Sequence, residues 1–238
     1  MQYIKPPLSY EQQAQRLINR GLRAEKSLLI ARLQSVNYYR LAGYLYSFRQ
    51  PNSDLFFQDT TLDVVWRRYT FDRHLRFLLL DAIERFEVAL KTDITYNVTQ
   101  HYGPFGYLNA SNLPLISREK FTELQNRIQH EVKRSREEFI HHFTLKYGDI
   151  HVLPPLWMTV EVISFGTTLS LYRGFATIIK RDIAKRYGVH DHVFESWITA
   201  LNAVRNICAH HGRLWNREFG YKPLIPKKTA FMGRACCY

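Results

Sequence analysis

Residues 61–99 read TLDVVWRRYTFDRHLRFLLLDAIERFEVALKTDITYNVT, and this stretch decides the fold class. Its apolar side chains recur three or four residues apart from Leu62 to Ile94, which is the period of one face of an α-helix. Asp72 interrupts the pattern, but no proline or glycine falls within it. The stretch predicts one long helix or two nearly collinear helices, and the chain as a whole is predicted to be an all-α bundle.

The rest of the chain also follows helical periods, without a glycine-rich phosphate loop or a repeat of fixed length. Ser9 and Gln12 form a capping-box pattern at the first helix, and Gly21 is typical of its end. Further helices are predicted over residues 25–35, 117–147, 154–161, 168–187 and from 191 to about 212 or beyond, while 37–44 is helical or extended. The expected domains are an N-terminal helical segment at 1–50, a larger helical domain at 51–226 and an irregular tail at 227–238.

Basic side chains are concentrated in two segments of the chain, whose 238 residues carry a formal net charge of +12. Residues 173–186 hold five bases and one acid, a net of +4, and residues 213–234 hold six bases and one acid, a net of +5. This clustering favours a polyanionic partner, RNA in particular. Charge that only keeps the protein soluble is the alternative. The residues predicted to bind RNA are Lys180, Arg181, Lys185, Arg186, Arg213 and Arg217.

The chain carries no signal for export or for membrane insertion. Its first residues, MQYIKPPLSY, lack the apolar core of a secretory signal, and no apolar run approaches the roughly 18 to 20 residues that a membrane span needs. Three cysteines, of which Cys236 and Cys237 are adjacent, do not make a disulfide framework. We therefore expect a cytoplasmic protein with no membrane partner.

Residues 205–217 read RNICAHHGRLWNR and carry the candidate chemistry. Arg205 can bind phosphate bidentately and keeps its proton at any working pH. His210 can both take and give a proton near neutrality. A proton-moving group and a fixed cation are the minimal equipment for cleaving RNA without a metal, so we predict neither a metal nor a cofactor.

On a helical wheel, residues 194–217 separate into two faces. The apolar face comprises Trp197, Leu201, Val204, Cys208 and Trp215. If the helix continues through Gly212, the opposite face is a polar ridge of Asn206, His210, Arg213 and Arg217. His211 falls at the edge of the apolar face, so His210 is the favoured catalytic histidine.

Arg205 lies about 140° around an ideal helix from His210. The two groups can act together if they border a groove shared with a second copy of the helix, which predicts a homodimer or an internal pseudo-dimer. Alternatively, Arg205 forms a structural ion pair with Glu87 or Glu161. Both carboxylates fall within apolar helical stretches and need partners if they are buried. The two roles are compatible.

The run Arg205-Asn206-Ile207-Cys208-Ala209-His210 resembles the signature of the HEPN superfamily of ribonucleases, which is arginine, a polar residue, three residues and histidine. Residues 5 to about 226 are similar to the Abi-like family of bacterial abortive-infection proteins of the AbiD/AbiF type. The similarity is carried by residues 5–10 (KPPLSY), 20–22 (RGL), 37–44 (NYYRLAGY), 71–76 (FDRHLR), 83–88 (IERFEV), 157–158 (WM) with Glu161, 164–166 (SFG) and 205–217. Members of that family usually continue with further helices, so the chain resembles a copy truncated at its C-terminus.

The resemblance implies a HEPN-like helical bundle with additional N-terminal helices, acting as a phage-defence toxin that cuts RNA. It makes Arg205 and His210 catalytic, with Asn206 as their polar partner. The implied reaction is attack by a ribose 2′-hydroxyl on the adjacent phosphate, which leaves a 2′,3′-cyclic phosphate. Two alternatives stay open. One is a non-catalytic RNA-binding module associated with a cognate small RNA or an antitoxin, and the other is a helical scaffold for a protein partner.

Overall fold

The computed structural model describes residues 2, 4 and 6–226, which form ten α-helices and no β-strand. The all-α prediction is therefore confirmed. The helices are α1 (Tyr10–Asn19), α2 (Lys26–Val36), α3 (Tyr38–Leu45), α4 (Leu62–Tyr102), α5 (Arg118–Arg134), α6 (Glu138–Tyr147), α7 (Leu156–Val162), α8 (Phe165–Gly174), α9 (Thr177–Arg186) and α10 (Asp191–Ala209). Among them, none is both long enough and apolar enough to cross a membrane. The irregular tail expected at 227–238 lies outside the described residues.

The sequence predicts α1, α2 and α4 and leaves α3 open. Helix α4 is a single helix of 41 residues. Of the two predicted arrangements, one long helix is therefore correct. At α1 the capping box is formed, with the backbone N–H of Ser9 donating to Gln12 Oε1 at 2.8 Å and that of Gln12 donating to Ser9 Oγ at 3.3 Å. Gly21 follows with φ of 95°, a left-handed conformation that costs glycine little. The stretch 37–44, left open between helix and extended chain, is helical from Tyr38 onward, with Asn37 as the N-cap.

Two segments predicted as single helices are each broken. The helix expected at 117–147 is interrupted because Ser135 is extended, with φ of −66° and ψ of 141°. The Ser135 hydroxyl accepts a hydrogen bond from the Glu137 N–H at 3.3 Å, and such local bonds compete with the helix. The helix expected at 168–187 is interrupted at Phe175, which is extended and fully buried. Gly166 lies in the first turn of α8.

The described residues divide into two compact units. The first contains residues up to Leu78 together with His211–Arg217, and the second contains Leu79–His210 together with residues 218–226. The core of the first includes Leu17, Leu33, Leu41, Tyr44 and Val65. The core of the second includes Ile94, Ile128, Leu171, Tyr172 and Phe194. The division falls within α4, after Leu78, whereas the sequence analysis placed a boundary near residue 50.

In the first unit, Asp72 is the centre of a buried hydrogen-bond network. Its side chain is fully buried and pairs with Arg76, which follows one turn later on α4. Tyr44 donates its hydroxyl proton to Asp72 Oδ2 at 2.5 Å. The backbone N–H groups of Leu214 and Trp215 donate to Oδ1 at 3.0 and 2.6 Å. The residue that interrupts the apolar pattern of α4 is therefore a buried acceptor that also holds the backbone of Leu214 and Trp215.

Three buried tyrosines and one partly buried tyrosine predict a loss of stability at alkaline pH. Burial, with the hydrogen bond to Asp72, raises the pKa of Tyr44 to about 12. Burial likewise raises the pKa of Tyr107, Tyr172 and Tyr187 above the ordinary value. Above about pH 10 the unfolded chain therefore loses phenolic protons that the folded chain keeps, and each tyrosine lowers stability by up to about 1.4 kcal/mol per pH unit.

Urea unfolding measured at increasing pH tests this prediction. We expect stability from this source to be intact below about pH 10 and to fall as the pH rises towards about pH 12. Tyr44→Phe removes one ionisable group from the network and should make the alkaline fall shallower. A stability that stays level or rises above about pH 10 would contradict the prediction.

Candidate functional site

The C-terminal end of α10 carries the Arg/His stretch. The helix ends at Ala209, and the N–H of His210 makes its last helical bond to the Asn206 carbonyl at 3.0 Å. His211 then has a φ of 57°, a left-handed conformation that takes the chain off the helical path. The expected continuation through Gly212 is therefore wrong, and Arg213 and Arg217 do not extend a polar ridge on this helix.

The apolar face of α10 is where the wheel placed it. Cys208 is buried, and Trp197, Leu201 and Val204 pack partly buried against the core of the second unit. Trp215 is not part of this face because it follows the end of the helix. The indole N–H of Trp197 donates to the Leu224 carbonyl at 2.9 Å, so residues after the stretch also pack onto α10.

The three residues expected to be catalytic lie in the last turns of α10 and at the position that ends it. Asn206 and His210 are exposed, and the side chain of Arg205 is 37% exposed. The helical rise from residue 205 to 210 is about 7.5 Å, comparable to the span of a phosphate and its ribose. The imidazole of His210 is open to solvent, whereas the guanidinium of Arg205, five residues earlier in the chain, is partly buried.

Arg205 is held by an ion pair with α4. Its Nε lies 3.9 Å from Glu87 Oε2, and the Glu87 side chain is only 15% exposed. Lys91, one turn further along α4, approaches the same carboxylate at 3.2 Å and donates to the Ile163 carbonyl at 3.0 Å. The prediction of an ion pair with Glu87 is thus confirmed. Because the contact is long and the guanidinium is partly exposed, Arg205 keeps N–H donors for an external anion.

Arg205 also lines an open cleft of about 720 Å³ within the second unit. Glu87 and Lys91 enter it from α4, and residues 134–137 and Phe139 enter it from the break between α5 and α6. Residues 161–164 complete it from the connection between α7 and α8. Glu161, the other carboxylate suggested as a partner of Arg205, is therefore in the same cleft and is exposed.

Residues 134–137 were not predicted as part of a site, because the sequence pattern predicts one continuous polar helix there. The signal that could have found them is weak. Ser135 lies between Arg134 and Arg136, and serine competes with helical hydrogen bonding through its hydroxyl. The break turns a stretch of ordinary helix surface into one wall of the cleft.

The basic segment at 173–186 is partly engaged within the protein. Lys180 is buried, and its Nζ lies 2.5 Å from Glu195 Oε2 on α10. Arg173 contacts the same carboxylate at 3.2 Å. Arg186, half exposed, pairs with Asp93. Arg181 and Lys185 are exposed on α9.

The two arginines that follow α10 also differ in their exposure and internal bonding. In the first unit, Arg213 donates to the Gly43 carbonyl at 2.9 Å and is partly buried. Arg217 is exposed. Buried or internally bonded cations are poor candidates for a phosphate, so Arg181, Lys185 and Arg217 are the members of the predicted RNA-binding set that the geometry favours.

Comparison with known proteins gives one family. The family model described as Abi-like protein matches residues 31–216, a range that contains Glu87, Arg205, Asn206 and His210. No curated protein and no solved structure was found to match the chain.

Proposed function

We propose, on the premise that this chain belongs to the Abi-like protein family, that it is a metal-independent endoribonuclease using His210 and Arg205. The family connects the chain with abortive infection, in which an infected bacterium halts phage growth. In the proposal the protein is a HEPN-type toxin of that system, and RNA is its substrate. The observation that carries the proposal is the exposed imidazole of His210 on the same helix end as a partly exposed arginine oriented by Glu87.

In the proposed reaction, His210 takes the proton of a ribose 2′-hydroxyl while that oxygen attacks the adjacent phosphorus. The bond from phosphorus to the 5′-oxygen breaks, and the products are a 2′,3′-cyclic phosphate and a 5′-hydroxyl. Arg205 donates to the phosphate oxygens as negative charge grows on them, and Asn206 supplies a neutral donor nearby. The departing 5′-oxygen gains its proton from the imidazolium of a second copy of the chain, in the homodimer expected from the position of Arg205.

RNA incubated with purified protein in the presence of a chelator tests the reaction class. We expect cleavage to persist, because neither proposed catalytic group needs a metal, and we expect cyclic-phosphate and 5′-hydroxyl ends. Mapping of both ends distinguishes this chemistry from metal-assisted hydrolysis, which leaves a 5′-phosphate. Cleavage that stops with chelator and returns with a divalent cation would overturn the metal-independent mechanism.

A second candidate is a non-catalytic RNA-binding module that holds a cognate small RNA. It is favoured by the exposed cations Arg181, Lys185 and Arg217, which need no catalytic partner. It predicts salt-sensitive binding that survives loss of His210 and intact RNA after incubation. Cyclic-phosphate ends produced by the pure protein would exclude binding as its only activity.

A further inference from the structure

The cleft beside Arg205 has a composition that the catalytic assignment does not explain. Its volume of about 720 Å³ lies within the range of about 300–1,000 Å³ typical of small-ligand sites. Its walls carry four carboxylates and four cations, so its net charge alone does not select a ligand. Which of these charges are already satisfied within the protein decides what the cleft can bind.

Two of the four carboxylates are engaged by the protein. Glu131 accepts hydrogen bonds from the Ser164 N–H at 2.8 Å, from the Ser164 hydroxyl at 3.0 Å and from the Thr167 hydroxyl at 2.9 Å. It thereby fixes the start of α8. Glu87 is engaged by Lys91 and by the guanidinium described above. Neither carboxylate is left to neutralise the arginines at the break between α5 and α6.

Those arginines are available to an external anion. Arg134 and Arg136 are exposed and line the cleft, and neither forms an ion pair within residues 2, 4 and 6–226. Guanidinium groups bind phosphate bidentately. Phe139, 36% exposed on the first turn of α6, lines the same wall and presents an aromatic ring on which a base can stack. Glu161 adds an exposed carboxylate that can accept from the amino group of a base.

We infer that this cleft seats one nucleotide of the RNA next to the bond that is cut, with its phosphate on Arg134 and Arg136 and its base against Phe139. The inference rests on the proposed nuclease function and names part of its RNA-binding site. The arrangement combines two phosphate-binding cations, a stacking surface and a base-edge acceptor in a space of nucleotide size. The inference also moves the principal RNA contact from the basic segment on α9 to the connection between α5 and α6.

The salt dependence of RNA binding distinguishes binding at this cleft from general attraction of RNA to a basic protein. Binding of a labelled single-stranded RNA is measured in a His210→Ala background, in which the RNA stays intact. Each phosphate contact contributes about 0.7 to the slope of log affinity against log salt. Arg134→Ala/Arg136→Ala removes the contact with one phosphate and should therefore lower the slope by about 0.7. The matched control is Lys120→Ala/Lys133→Ala, which removes the same charge from exposed positions of α5 outside the cleft. Equal changes in the two double variants would overturn the inference.

Loss of base stacking should change the affinity for RNA but not its dependence on salt. Phe139→Ala should weaken binding about 5- to 100-fold with the salt slope unchanged, because a base contact releases no counterions. Leu145→Ala, at a side chain 75% exposed on the same helix, is the control. An affinity unchanged by Phe139→Ala would overturn the placement of the base. Circular dichroism of each variant shows whether the helices are retained.

The outcomes keep this inference distinct from the nuclease proposal. If the wild-type protein leaves RNA intact while the cleft variants alone lose binding, the nucleotide site stands and the proposed function fails. If the wild-type protein cuts RNA and the cleft variants bind and cut like their controls, the nuclease stands and the nucleotide site fails.

Discussion

His210→Ala should lower the rate of RNA cleavage by about 100- to 10,000-fold, the usual contribution of a positioned general acid or base. The histidine is exposed at the end of α10, so its replacement removes no buried contact and should leave the helices intact. Initial rates on a defined RNA, with circular dichroism as the check on folding, measure the effect. Growth arrest on expression in cells should be lost in parallel.

His211 offers a matched control for this variant. It is an exposed histidine next in the chain, and its φ of 57° makes asparagine the tolerated replacement because asparagine enters the left-handed region readily. We expect His211→Asn to cleave RNA at close to the wild-type rate. Equal losses in His210→Ala and His211→Asn, or unchanged growth arrest in His210→Ala, would contradict the catalytic assignment.

Arg205→Ala belongs to the same prediction but needs a second control, because Arg205 also pairs with Glu87. Loss of a donor that stabilises the charged phosphorus centre should lower the rate by about 100- to 1,000-fold. Glu87→Gln breaks the ion pair and leaves the guanidinium in place. Because Glu87 orients the guanidinium, we expect Glu87→Gln to lower the rate less than Arg205→Ala does. If Arg205→Ala lowers the rate no more than His211→Asn does, Arg205 is not a catalytic residue.

The sequence predicts the long elements of this fold better than their ends. Helix α4 was predictable because its apolar period runs from Leu62 to Ile94 without a breaker. The end of α10 was not, because it depends on the left-handed backbone of His211, a conformation that non-glycine residues seldom adopt. One φ angle therefore decides that Arg213 and Arg217 leave the helix that carries His210.

The candidate site was also predictable only in part. Glu87 could be found from sequence, since a carboxylate in an apolar stretch needs a cationic partner once it is buried. The availability of each cation could not, because Lys180 and Arg181 are adjacent bases of the same helix and only the fold pairs Lys180 with Glu195. Net charge predicts a polyanionic partner. Tertiary contacts decide which of the cations are exposed to bind one.

Asp72→Asn should destabilise the protein by about 3–5 kcal/mol, a large fraction of a typical unfolding free energy of about 5–15 kcal/mol. Asparagine keeps the volume of the side chain but replaces one acceptor oxygen by an NH2 donor. Either Arg76 or the N–H groups of Leu214 and Trp215 then face a donor, with all of them removed from water. The guanidinium of Arg76, 8% exposed, also loses its counter-charge.

Asp81→Asn is the control because it breaks the same kind of ion pair at an exposed position. The difference between the two variants therefore measures the effect of burial. Asp81 also pairs with an arginine four residues later on α4, but these two side chains are 60% and 72% exposed, so the pair should contribute less than about 0.5 kcal/mol. Tyr44→Phe, which removes only one donor from the Asp72 carboxylate, should cost about 1.5–3 kcal/mol. Urea unfolding of the three variants should rank them Asp72→Asn, Tyr44→Phe, Asp81→Asn from most to least destabilised. If Asp72→Asn proves no more harmful than Asp81→Asn, the buried network does not hold the segment that follows His210. The interruption of the apolar pattern at residue 72 would then need another explanation.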